Sequence, residues 1–209
     1  MHGIHAQTLL QRSHLWGRAI ISLVVLFVLS TNMRPVHALP VGGIVNLKPQ
    51  VQVHAEKQKG WTVAGERFAL GYGDCIRTDK GGKADVLFNN GTEIIMRSNT
   101  QIQIVAPASA DKPLVVRVFG ALSEIFVRAK GNTEIRTEAS NAAVRGTEFL
   151  IRLPAPDCTT LTVITGVVDF SNAKGLVTVR AAQQSTARVG ERPSPPTTVD
   201  VTGLIAWTA

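Results

Sequence analysis

Between Val41 and Ala181 apolar residues recur at every second position, and turns carrying glycine or asparagine interrupt them at short intervals. Val51, Val53 and Ala55 form one such set; Ala84, Val86 and Phe88 form another; Phe149, Ile151 and Leu153 form a third. Side chains of an extended chain point alternately to its two faces, so this pattern places one face in a core and the other in water. Threonine, valine and isoleucine dominate, as half-buried pleated positions favour. Beyond the first 38 residues no window shows an apolar stripe of period 3.6, so helix is expected to be scarce. Strands are read at 75–78, 84–88, 114–118, 121–128, 133–137, 149–153, 160–165, 167–170 and 176–181. Asn89-Asn90-Gly91-Thr92 is the strongest hairpin signal, and its Asn-Gly pair predicts a type I′ turn. The whole predicts one all-β domain of many short strands and tight turns, either a rolled sandwich or β-solenoid-like. No strict fixed-period repeat is present.

The first residues read as a targeting signal. Arg12, His14 and Arg18 make a basic start, Ala19 to Leu29 is a short apolar core, and Val36-His37-Ala38 offers small residues for cleavage. That core is shorter than the roughly 20 residues a membrane span needs. The expected division is a signal peptide at 1–38, a β domain at 39–190, and a Pro-rich linker with an apolar tail at 191–209. In the last segment Arg192-Pro193-Ser194-Pro195-Pro196 is stiff, and Leu204, Ile205 and Trp207 are expected to dock on the domain. Cleavage would remove 38 of 209 residues and leave 171; losing three arginines and no acid lowers the net charge from +7 to +4. A surplus of four fits solubility or weak attraction to anionic surfaces, not a nucleic-acid partner. The expected location is periplasmic or extracellular, with no membrane span left after cleavage.

Exported chemistry has few residues to draw on. Four of five histidines lie in the signal, so only His54 remains, in an ordinary alternating strand. A serine or cysteine triad, a zinc site and a calcium loop all lack their residue sets, and no cofactor is expected. Acids alternate along strands, which is the usual pattern of a solvated face. Cys75 and Cys158 are an even pair outside the cytosol, beside turn residues, and are expected to form a disulfide rather than remain two free thiols. Trp61 and Tyr72 flank a turn-rich stretch and could line a sugar-binding patch, although core and turn roles explain them as well.

The segment from Asn141 to Leu153 concentrates the remaining signal. Small residues enter it, the charged turn Arg145-Gly146-Thr147-Glu148 crosses it, and an alternating strand leaves it. Arg145 and Glu148 could contact a ligand. The preferred reading is structural: the two charges bond each other or exposed strand backbone, Gly146 turns the chain, and Val144 and Phe149 enter the core. On that reading Arg145→Ala or Gly146→Val lowers stability.

These residues also carry a family resemblance. Leu70-Gly71-Tyr72-Gly73-Asp74-Cys75-Ile76-Arg77-Thr78, then Gly82 to Thr92, then Ala143-Val144-Arg145-Gly146-Thr147-Glu148-Phe149, then Val163 to Val168 appear in an order that resembles the FecR domain family. The resemblance spans about Val45 to Arg188. It implies an all-β extracytoplasmic module, which in signalling members passes an outer-membrane signal to a segment controlling a sigma factor. No stretch before the signal could fold as such a segment, so a stand-alone exported member is expected. The expected role is non-catalytic binding of another envelope protein, in signalling or as an adaptor. The alternatives are binding of cell-wall polysaccharide and, less favoured, an extracytoplasmic hydrolase.

Overall fold

The computed structural model describes residues 39–209 apart from residue 110. The signal peptide expected at 1–38 lies outside the described residues. In chain order the strands are β1 (Gly42–Lys48), β2 (Val51–His54), β3 (Thr62–Val63), β4 (Ala69–Leu70), β5 (Cys75–Thr78), β6 (Lys83–Phe88), β7 (Glu93–Met96), β8 (Thr100–Val105), β9 (Leu114–Phe119), β10 (Ser123–Ala129), β11 (Thr133–Arg136), β12 (Asn141–Val144), β13 (Thr147–Ala155), β14 (Cys158–Thr165), β15 (Val167–Asn172), β16 (Gly175–Arg180), β17 (Gln183–Arg188) and β18 (Thr197–Thr198). The only helical piece among the described residues is a 3₁₀ turn at Ala206–Thr208. None of these residues forms a helix long and apolar enough to cross a membrane.

Two sheets of nine strands result. Sheet A runs β18-β17-β14-β13-β10-β7-β6-β1-β4, and sheet B runs β16-β15-β12-β11-β9-β8-β5-β2-β3. From β6 onward the chain winds back and forth. It adds β6–β7 to sheet A, β8–β9 to B, β10 to A, β11–β12 to B, β13–β14 to A, β15–β16 to B and β17–β18 to A. Both sheets therefore grow in one direction, as a rolled sandwich. Neighbours are antiparallel except β9 and β11, which pair in parallel because β10 crosses to the other sheet between them. That step is one full solenoid-like coil within an otherwise antiparallel sandwich.

The period-two pattern supplies the core. Ile94, Met96, Ile125, Val127, Phe149 and Ile151 face inward from sheet A; Ile76, Ile102, Ile104, Val116, Ile135 and Phe170 face inward from sheet B. Each such side chain contributes about 1.5–3 kcal/mol on burial. Where the chain changes sheets, backbone groups lose their ladder partners, and buried threonines replace them. Thr100 on β8 donates to the Glu124 carbonyl of β10 at 3.2 Å and accepts its N–H at 3.0 Å. Thr78 donates to the Arg97 carbonyl at 2.6 Å, and Thr137 meets Thr159 at 2.7 Å.

Three expectations change in detail. The hairpin between β6 and β7 forms where Asn-Gly placed it, but its turn is not type I′. Gly91 N–H donates to the Phe88 carbonyl, and Gly91 has a φ of +81° while neither asparagine has a positive φ. That is a three-residue loop with a type I turn closed by a glycine bulge. Second, Cys75 and Cys158 form no bridge; both are free thiols. Ile76 takes the inward position on β5, so Cys75 faces outward from sheet B, while Cys158 is buried on β14 of sheet A. A disulfide needs Cα atoms within about 7 Å, which that placement does not give. Burial, aided by the Asp74 charge, pushes the Cys75 thiol pKa up and keeps it protonated. Third, β17 (Gln183–Arg188) is a full strand that its polar composition hides.

Candidate functional site

The turn at Arg145-Gly146 carries the chain from β12 in sheet B to β13 in sheet A, so this segment is a corner of the sandwich. Gly146 sits at φ +64°, a left-handed conformation that glycine adopts without strain. A second crossing lies against it: Gly166, at φ +89°, links β14 of sheet A to β15 of sheet B. Thr147 joins the two crossings. Its hydroxyl bonds to the Arg145 carbonyl at 3.2 Å and the Val167 carbonyl at 3.1 Å. Phe149, two residues on, is fully buried in the core, and Val144 packs against that core.

Of the two arrangements expected for the charges of the turn, the mutual pair does not form. Glu148 bonds Arg128 of β10, with Arg128 Nε at 2.7 Å from its carboxylate. Arg128 also reaches Glu93 of β7 at 2.5 Å through Nη1. The register explains this, because Arg128 stands opposite Glu93 on one side and opposite Glu148 on the other. Glu148, foremost through its hydrogen bond, raises the Arg128 pKa further above its ordinary value. These side chains are a quarter to two-fifths exposed, so each pair contributes under about 1 kcal/mol.

Arg145 is exposed and, among the described residues, has no carboxylate partner within salt-bridge distance. It borders a cavity of about 440 Å³ on sheet B, beside Glu134, Ala143, Val167 and Asp169. Both acids are engaged elsewhere: Glu134 binds Arg136 at 2.8 and 3.0 Å, and Asp169 accepts the Thr178 hydroxyl at 3.1 Å. Without a carboxylate partner, the exposed Arg145 side chain adds little to stability, contrary to the effect expected of Arg145→Ala. Arg145→Ala is expected to shift stability by no more than about 0.5 kcal/mol, read as an unchanged thermal midpoint. A drop of several degrees would restore the paired reading.

Trp61 and Tyr72 have different surroundings. The Trp61 ring carries the Arg77 guanidinium at 4.3 Å and lies 5.7 Å from the His54 ring. Tyr72 is exposed and lines a separate cavity with Asn89, Asn90, Lys112 and Asn132, of which Trp61 is not a wall. Several acids are tied into structure. Glu124 binds Arg97 at 2.8 Å and Arg152 at 3.0 Å, and Asp74 accepts the N–H groups of Glu56 and Gly71 at 3.0 and 2.8 Å. Among the described residues no group of three or more His, Cys, Asp or Glu side chains is placed to hold a metal ion.

Comparison with known proteins places this architecture. Residues 74–169 match the family described as FecR protein, a little under half of the chain. Two crystal structures of a candidate anti-sigma factor from Parabacteroides distasonis ATCC 8503 are similar, each with a TM-score of 0.55 at 18% identity. They cover 64% of this chain; the chain in turn spans 64% of one of those structures and 63% of the other. That likeness establishes the shared fold. No curated protein matches the chain significantly.

Proposed function

We propose that this chain, which carries a FecR-family domain over residues 74–169, is an exported, non-catalytic module that binds another protein in cell-envelope signalling. The observation that carries the contact is strand β16. Of the four strands at the sheet edges, β3, β4 and β18 have two residues each, whereas β16 has six. A six-residue edge can add a partner strand through the backbone groups that β15 leaves unused, apart from the Arg180 N–H, which bonds the Gln183 side chain at 2.9 Å, with side-chain pockets giving specificity. Leu176 on that edge is half exposed, and Lys174 and Arg180 flank it. The engagement of Glu93, Glu124, Glu134, Glu148 and Asp74 in ion pairs and backbone bonds supports a structural rather than an acid–base use of these carboxylates. The neighbour in fold is itself a candidate anti-sigma factor, which is in keeping with signalling.

A photo-crosslinking residue at Leu176 should form a discrete adduct with an envelope protein, and one at Leu122, exposed in a turn, should not. Equal labelling at both positions, or none at Leu176, would refute the edge contact.

A further inference from the structure

The outer face of sheet A departs from the polar pattern expected of a solvated face. Ile95, Phe126 and Leu150 stand side by side on β7, β10 and β13, in direct register. They are 5%, 0% and 0% exposed and form a cluster separate from the core between the sheets. Three strands make this apolar floor about 10 Å wide. Charged rows flank it on both sides: Glu93–Arg128–Glu148 along one edge, and Arg97–Glu124–Arg152 along the other. An apolar floor between ionic rails is the build of a docking groove, with a desolvated centre and a polar rim.

The chain fills this groove with its own end. Ile205 and Trp207, with Ile164, pack on the floor, and the Arg97 guanidinium lies 5.5 Å from the Trp207 ring. The attachment is light. After Val199, whose N–H bonds the Ala182 carbonyl, the backbone bonds of 200–208 are local, from Leu204 to Val201, Ala206 to Gly203 and Thr208 to Ile205. One side chain of the sheet, Lys83, donates to the Thr208 and Ala209 carbonyls at 2.8 and 3.4 Å. The fit is also incomplete. The Trp207 indole N–H is buried without an acceptor, and one buried oxygen of Asp85, which stands opposite Ile95 at the end of the floor, accepts no hydrogen bond and has only the Lys83 ammonium at 3.9 Å. A buried donor without an acceptor is costly, so the tail holds the floor less tightly than a segment that left no such group there.

We propose that this groove is a second docking site, for a partner-protein segment bearing an aliphatic–x–aromatic pair, and that Ile205-Ala206-Trp207 keeps it closed until such a segment competes. The occupant's chemistry is the one the tail displays: a branched aliphatic and a large aromatic two residues apart on the floor, with a polar flank facing the rails. This deepens the protein-binding reading given above and rests on it. A tethered tail competes at an effective concentration in the millimolar range, so a free segment meets a closed groove unless it binds better.

The test uses the full exported chain and a fluorescent peptide spanning Val199–Ala209 as probe. The double variant Ile205→Ser with Trp207→Ser releases the tail. It should bind the peptide saturably and at least about tenfold more tightly than the parent chain does. A peptide carrying the same two serines should not bind, and adding Leu150→Glu to the released protein should abolish binding. Equal affinity for parent and released protein would overturn the proposal. So would absence of saturable binding in a released protein whose β-sheet circular dichroism and cooperative melting are intact. Dimerisation of the released protein through the bared floor would make a second copy the occupant and overturn it likewise. Loss of peptide binding with the Leu176 adduct retained removes the groove alone; the reverse removes the edge contact alone.

Discussion

Phe149→Ala is expected to destabilise the domain by about 3–5 kcal/mol, the range for removing a buried aromatic ring. Phe149 is fully buried, belongs to the core between the sheets, and sits on β13, the longest strand. It stands opposite Val127 on one neighbouring strand and Val163 on the other, both fully buried. The paired strands fix those neighbours, so they can refill little of the lost volume, and the cavity term adds to the transfer term. For a chain of this size the loss should lower the thermal midpoint by roughly 6–20 °C. Chemical denaturation should show a lower midpoint with an unchanged slope. A shift under about 2 °C, on the same scale, would mean that the ring is not packed as described.

Gly166→Ala should cost roughly 2–5 kcal/mol, from two additive causes. At φ +89° an L side chain is strained, and an added Cβ would lie 2.8 Å from the Thr147 hydroxyl and 3.2 Å from the Gly146 carbonyl. Neither contact can yield freely, because Thr147 is held by the Arg145 and Val167 carbonyls and Gly146 is the other crossing. Gly146→Ala is the internal control. Its φ is also positive, at +64°, but its Cβ would meet nothing within 4 Å, so only the backbone strain of about 1–2 kcal/mol applies. Measured side by side in urea, Gly166→Ala should be the worse of the two. The reverse order would mean that the two crossings do not pack against each other.

The candidate site was half legible. Val144, Gly146 and Phe149 announced a corner entering the core, because their types fit only that use. The partner of Glu148 was not legible. Arg128 lies twenty residues away in sequence and reaches Glu148 only because β10 and β13 pair in the register that sets them opposite. Arg145, the sequence neighbour of Glu148, is left exposed for the same reason: the turn puts it on the sheet B side of the corner. The cysteines show the same limit. Their number and compartment favoured a bridge, but the alternation on β5 gives the inward place to Ile76 and turns Cys75 outward.

What the sequence determined by itself is local. Period-two apolarity set the strands and their inward faces, and glycine and asparagine marked the turns, because side-chain direction and backbone strain depend on a residue and its immediate neighbours. The apolar residues of the end segment likewise announced that it would dock. Which strands became neighbours was decided only by the tertiary structure, since the winding that sets β10 between β7 and β13 follows from closing one core around both sheets. That arrangement paired Arg128 with two glutamates and brought the two glycine crossings together. It also aligned Ile95, Phe126 and Leu150, from three separate strands, into the floor that Ile205 and Trp207 cover.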